Sequence, residues 1–162
     1  MDFIPQTNYF YEKDLLVMKQ KCLSNKKKLK EIDSSEKIKL IKKFAQSLDK
    51  LHAEEFVHGD INRKNIIYSE NKLFLIDFEP SLLQIKDRTK QWMSTRPYRH
   101  HEDIQNNNIT AKSDFLGFAC FIKWFLSNSN CPQYYVEECS EIVTKLKFQS
   151  SPFQKLTKLL LN

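Results

Sequence analysis

Glycine is nearly missing from this sequence: among 162 residues only Gly59 and Gly117 occur. A loop that wraps a phosphate chain in successive backbone amides needs several glycines close together. This sequence cannot build one. Arginine is scarce too, since of 26 basic residues only Arg63, Arg88, Arg96 and Arg99 are arginine, and lysine carries the net charge of +6. The lysine excess over 19–30 and 37–50 alternates with apolar residues at helical spacing. Without aromatic interleaving or guanidinium forks, it reads as solvated helix faces rather than a nucleic-acid surface. Cys22, Cys120, Cys131 and Cys139 form no C-x-x-C pair, so a thiolate zinc cage is not indicated, and Cys120 reads as core packing. The longest apolar run, 115–126, contains Lys123 and is shorter than the about 20 residues that cross a bilayer. No signal-peptide pattern opens the chain. The expectation is a soluble protein of a reducing, cytoplasmic compartment with no membrane partner.

Apolar residues make up 41% of the chain and aromatics 12%, which suits one globular domain over 1–162. Residues 13–23 read as a short helix with Leu15, Leu16 and Met18 inward. Asp33 reads as an N-cap with Glu36 three positions on. Ile38, Ile41, Phe44, Ala45, Leu48 and Leu51 then recur at three- and four-residue steps, one face of a long helix. Two short strands, 66–68 and 73–76, flank a turn at 69–72. Residues 103–111 read as a loop, and 115–126, apolar all round, as a helix buried on every side. Two last helices follow, one carrying Val136, Cys139, Ile142 and Val143, the other opening at Pro152.

The chemistry is concentrated in 58–78. His58-Gly59-Asp60 is followed by Asn65, five residues after the aspartate, and Asp77-Phe78 closes the second strand. A loop carboxylate, a loop amide and a strand-end carboxylate can orient a nucleophile and hold Mg²⁺. This order resembles the protein-kinase-like superfamily, whose catalytic loop reads H-R-D-x-x-x-x-N and whose metal motif reads D-F-G. Ser94-Thr95-Arg96-Pro97-Tyr98-Arg99-His100-His101-Glu102 resembles the end of that family's activation segment, with Thr95, Tyr98 and Glu102 in register. Ser113-Asp114-Phe115 resembles the start of its buried central helix.

The resemblance implies a mainly α fold with a small β-hairpin, the C-terminal lobe of a kinase, with the N-terminal lobe absent. In that reading Met1–Pro5 is the hinge between lobes. Asp2, Phe3 and Ile67 would contact ATP, with Ile67 as the floor under the adenine and Lys64 or Arg63 supplying positive charge near the phosphates. Asp60, Asn65 and Asp77 would be catalytic, and Asn65 and Asp77 would hold Mg²⁺. The implied activity is ATP-dependent phosphoryl transfer to a protein hydroxyl, serine or threonine first, needing an upper lobe that is missing or separately supplied, so that the lower lobe alone is expected to transfer phosphate negligibly. Phe3, Ile67 and Phe78 would form an exposed apolar surface for a separate upper lobe, a second copy or a partner kinase. A catalytically inactive binding module and a small-molecule kinase are the alternatives.

The pattern also departs from the family. Gly59 stands where H-R-D has Arg, Asn62 where Ser/Thr kinases place Lys, and Glu79 where D-F-G has Gly. His100-His101 stands in place of A-P before Glu102, which lacks its usual Arg partner and is expected to face solvent or pair with a lysine. His58 is expected to be a buried support for the loop, His100 and His101 to be surface residues, and Asp114 to accept hydrogen bonds from the catalytic-loop backbone.

Overall fold

The computed structural model describes residues 3–12, 15–20, 22–23, 28–78, 98–106, 108–127, 135–145 and 151–161. The elements run β1 (Thr7–Glu12), β2 (Leu15–Gln20), a 3₁₀ turn (Leu29–Glu31) and α1 (Ser34–Ala53). They continue with β3 (Ile66–Ser69), β4 (Lys72–Leu75), α2 (His101–Gln105), α3 (Ala111–Ser127), α4 (Val136–Lys145) and α5 (Pro152–Leu161). Two separate antiparallel hairpins, β1–β2 and β3–β4, accompany a mostly helical body. No helix among the described residues is long and apolar enough to cross a membrane.

Helix α1 starts where the sequence suggests. The Asp33 carboxylate accepts from the backbone amides of Ser35 and Glu36, both at 3.0 Å, satisfying donors that a helix start leaves without partners. Leu40, Ile41, Phe44, Ala45, Leu48 and Leu51 are buried along one face. Phe44 meets Phe118 and Phe121 of α3 at ring separations of 6.0 and 6.4 Å. Helix α3 is buried continuously from Ser113 to Ile122, as an all-apolar helix must be. Its Lys123 reaches out to Glu138 of α4 at 2.8 Å. Helix α5 opens with Pro152, whose missing N–H is harmless at that position. The amides of Phe153 and Gln154 are capped from α1, by Asp49 at 2.9 and 3.2 Å.

The β3–β4 hairpin turns at Glu70 and Asn71, with φ of 50° and 57°. Two consecutive left-handed residues give the tight turn whose twist matches the flanking strands.

Several expectations fail here. Residues 15–20, read as part of a helix, are strand β2, paired with β1 from Thr7↔Gln20 to Glu12↔Leu15. A helix that short is marginal alone, and Tyr9-Phe10-Tyr11 with Leu15-Leu16-Val17 favour pairing as strands. Phe3, expected exposed at the upper surface, packs into the core. That side chain is 4% exposed, lies edge-on to Phe44 at 5.8 Å, and its carbonyl accepts from Leu75 N–H at 2.9 Å. Asp2 lies outside the described residues, as do Glu79, Thr95 and the rest of 79–97. Residues 103–111 are not wholly loop, since α2 ends at Gln105 and α3 begins at Ala111. The apolar docking surface is also withdrawn: Phe3 and Phe78 are both buried, and only Ile67 is half-exposed.

Candidate active site

The loop between α1 and β3 is held from below by one carboxylate. Asp114, fully buried in the first turn of α3, accepts from His58 N–H at 2.8 Å, from Gly59 N–H at 2.7 Å and from the His52 ring at 2.8 Å. A carboxylate at a helix start is favoured by the dipole, and here it also anchors two loop amides. Gly59 has φ of 83°, a backbone state that penalises any side chain. Glycine, lacking a Cβ, takes this state without steric cost at the position where the family motif has Arg.

The other glycine serves the same loop. A Cβ on Gly117 of α3 would lie 2.1 Å from the Ile61 carbonyl oxygen, so the helix backbone touches the loop directly. Both glycines of the chain are therefore spent on placing Asp60.

His58 is buried, as expected. Its Nδ1 accepts from Asp60 N–H at 3.2 Å, which leaves the proton on Nε2 to donate to the Ile76 carbonyl at 3.0 Å. Phe78 packs edge-on against the ring at 4.7 Å. Histidine here is a strut between loop and strand end.

Asn65 completes the loop. Its side-chain amide donates to the Asp60 carbonyl at 2.9 Å and to the Asp60 carboxylate at 3.0 Å. Its backbone carbonyl accepts from Ile76 N–H at 2.9 Å. Ile76 thus takes one bond from His58 and gives one to Asn65, which ties the residue before Asp77 to both sides of the loop that carries Asp60. Asp77 itself is exposed and has φ of 66°. A left-handed aspartate costs about 1–3 kcal/mol, and such strain clusters at functional sites.

The neighbours sort themselves by contact. Asn62 is buried and structural, donating to the Asp60 carbonyl at 3.1 Å and accepting from Lys64 N–H at 2.8 Å. The Arg63 guanidinium lies over the Trp124 ring at 5.8 Å. Lys64 is exposed beside the loop. Ile67 sits on β3 opposite Phe74. The structure thus joins Asp60, Asn65 and the Asp77 segment, and sets Phe3 apart in the core.

The donor set suits Mg²⁺, which takes hard oxygen ligands and keeps several waters. Asn65, itself buried, would offer its amide oxygen, and Asp77 an exposed carboxylate on a backbone fixed from both sides.

Beyond the loop, Glu102 pairs with Lys112, one of the two alternatives the sequence left open. That bond lowers the Glu102 pKa. His100, expected at the surface, is fully buried, while His101 is exposed. Burial, with the His101 ring beside it, lowers the His100 pKa. The lone signal for this in the sequence is position: His100 falls in a segment that must return to the central helix. Arg99 fastens that return by donating to the carbonyls of Asn108 at 2.6 Å and Asp103 at 3.1 Å.

The family model described as the protein kinase domain matches residues 4–158. A candidate serine/threonine-protein kinase of Acanthamoeba polyphaga mimivirus is 32% identical over 98 residues, covering 58% of this chain and 18% of that protein. The serine/threonine-protein kinase PknH of Mycobacterium tuberculosis is 23% identical over 111 residues, 66% of this chain and 17% of that protein. The chain thus spans under a fifth of the length of these relatives. Among solved structures, the Cydia pomonella granulovirus kinase PK-1 superposes with a TM-score of 0.64 at 15% identity, covering 98% of this chain and 68% of that one. At that identity the likeness is one of fold.

Proposed function

Since the chain belongs to the protein kinase domain family, we propose that it transfers the γ-phosphoryl group of ATP to a protein hydroxyl, serine or threonine first. The observation that carries this reading is the bond from the Asn65 amide to the Asp60 carboxylate, with Ile76 joining both loop ends to Asp77. Phosphoryl transfer depends on positioning and charge more than on covalent help from the protein, and this network is a positioning device.

Asp60 accepts a hydrogen bond from the substrate hydroxyl and aims its oxygen at phosphorus. Asn65 keeps that carboxylate oriented. Asn65 and Asp77 are the residues that would hold Mg²⁺, which when bound neutralises charge on the transferring phosphates. Lys64, exposed beside the loop, supplies positive charge toward the same place. Ile67 offers an apolar half-buried surface to the adenine. The partner is a protein substrate, the cofactors ATP and Mg²⁺, and the compartment the cytoplasm.

Calorimetry of ATP with Mg²⁺ and then with EDTA tests the nucleotide site. Transfer of label from γ-labelled ATP to a mixed protein substrate, compared with Asp60→Asn, tests the chemistry. Metal-dependent binding together with Asp60-dependent labelling supports the proposal. Metal-dependent binding without labelling would leave a nucleotide-binding module. Binding that is equal in EDTA would overturn the metal assignment.

A further inference from the structure

We propose that His100, His101 and Glu102 form a binding site for a divalent transition cation, Zn²⁺ first, at the base of the segment leading into α3. A ring nitrogen of each histidine and a Glu102 carboxylate oxygen all lie within 4.8 Å of one another. The two imidazole rings are 4.3 Å apart.

An independent observation points the same way. His100 is fully buried, and its Nδ1 has no hydrogen-bond partner among the described residues. The protonation of that ring can be derived. The Thr144 hydroxyl has one proton and gives it to the Ser140 carbonyl at 2.8 Å. At 3.4 Å from His100 Nε2 it can therefore only accept. The His100 proton is on Nε2, and Nδ1 carries a bare, buried lone pair. Such an acceptor costs stability unless something electrophilic meets it, and a metal ion is the partner that a lone pair without a donor fits.

The ligand chemistry selects the ion. Two imidazoles and a carboxylate match Zn²⁺, whereas Mg²⁺ and Ca²⁺ seek oxygen alone. His101 is exposed and Glu102 partly so, giving an ion a path from solvent and leaving its fourth position to water. Lys112, now on Glu102, competes with the ion for that carboxylate.

The test is calorimetric titration of the full chain with ZnCl₂ in excess Mg²⁺, in a Cys22→Ser background because that thiol is exposed. A visible d–d spectrum with Co²⁺ gives the coordination. The expected result is one ion per chain, with His101→Ala and Glu102→Gln each binding more than about tenfold more weakly. Both side chains are at least partly exposed, so both variants should fold. Lys112→Met should bind more tightly, an effect that a purely structural role for Glu102 does not produce. Unchanged Zn²⁺ affinity in His101→Ala would overturn the proposal. So would loss of binding in Asp77→Asn, which would place the ion at the phosphotransfer site.

Discussion

The Cβ that Gly117 lacks would stand 2.1 Å from the carbonyl oxygen of Ile61. The central helix and the loop that carries Asp60 are thus in backbone contact, and the position of Asp60 depends on a missing methyl group.

Gly117→Ala sets two effects against each other. Alanine gains about 1 kcal/mol of helix propensity over glycine, but overpacking against a backbone atom that cannot rotate away costs about 1–3 kcal/mol. The clash should win. Chemical denaturation should show a net loss of stability, and any residual phosphotransfer should fall further than stability does, because the displaced element carries Asp60.

Asp114→Ala removes the acceptor for the His58 and Gly59 amides and for the His52 ring. Buried donors left without partners should lower stability by about 1–3 kcal/mol. Hydrogen exchange should report faster opening at Gly59 than at Leu48, which lies in the α1 core. Equal protection of Gly59 in both proteins would contradict the anchoring role.

Asp60→Asn and Asp77→Asn should separate in their readouts. The first should lower kcat by about 10²–10⁴-fold with nucleotide affinity little changed. The second should abolish Mg²⁺-dependent ATP binding itself. Circular dichroism should find both folded, since Asp77 is exposed and amide replaces carboxylate at similar size.

Tyr68 donates to Glu36 at 2.6 Å across from β3 to α1, and this hydrogen bond, with burial, raises the phenol pKa. The folded state therefore holds the phenol proton more tightly than the unfolded chain. The resulting stabilisation is complete below the unfolded pKa of about 10 and disappears as pH rises through the higher folded value. Tyr68→Phe should cost about 1 kcal/mol at neutral pH. It should flatten the alkaline decline in stability, measured by denaturation between pH 8 and 11.

Much of this protein was determined locally, and that part was legible in the sequence. Asp33 caps α1 because its donors lie two and three residues away. The 3.6-residue repeat of Ile41, Phe44, Leu48 and Leu51 needs no partner to define a face. The order of Asp60, Asn65 and Asp77 was legible through its resemblance to the kinase motifs, and the short loop and tight hairpin between them are local features too. What tertiary structure alone decided depends on residues far apart in the chain. Strand β2 forms because β1 is there to pair with it, against a spacing that also fits a helix. Phe3 is core because Phe44 and Leu75 meet it. Asp49 caps a helix more than one hundred residues away. Gly59 and Gly117 look like mere scarcity in the sequence. Only packing shows that one supplies a left-handed turn and the other a place for two backbones to touch. His100 follows the same rule: its burial and its bare Nδ1 are set by Ser113, Ser140 and Thr144, and no local pattern encodes contacts made across that distance.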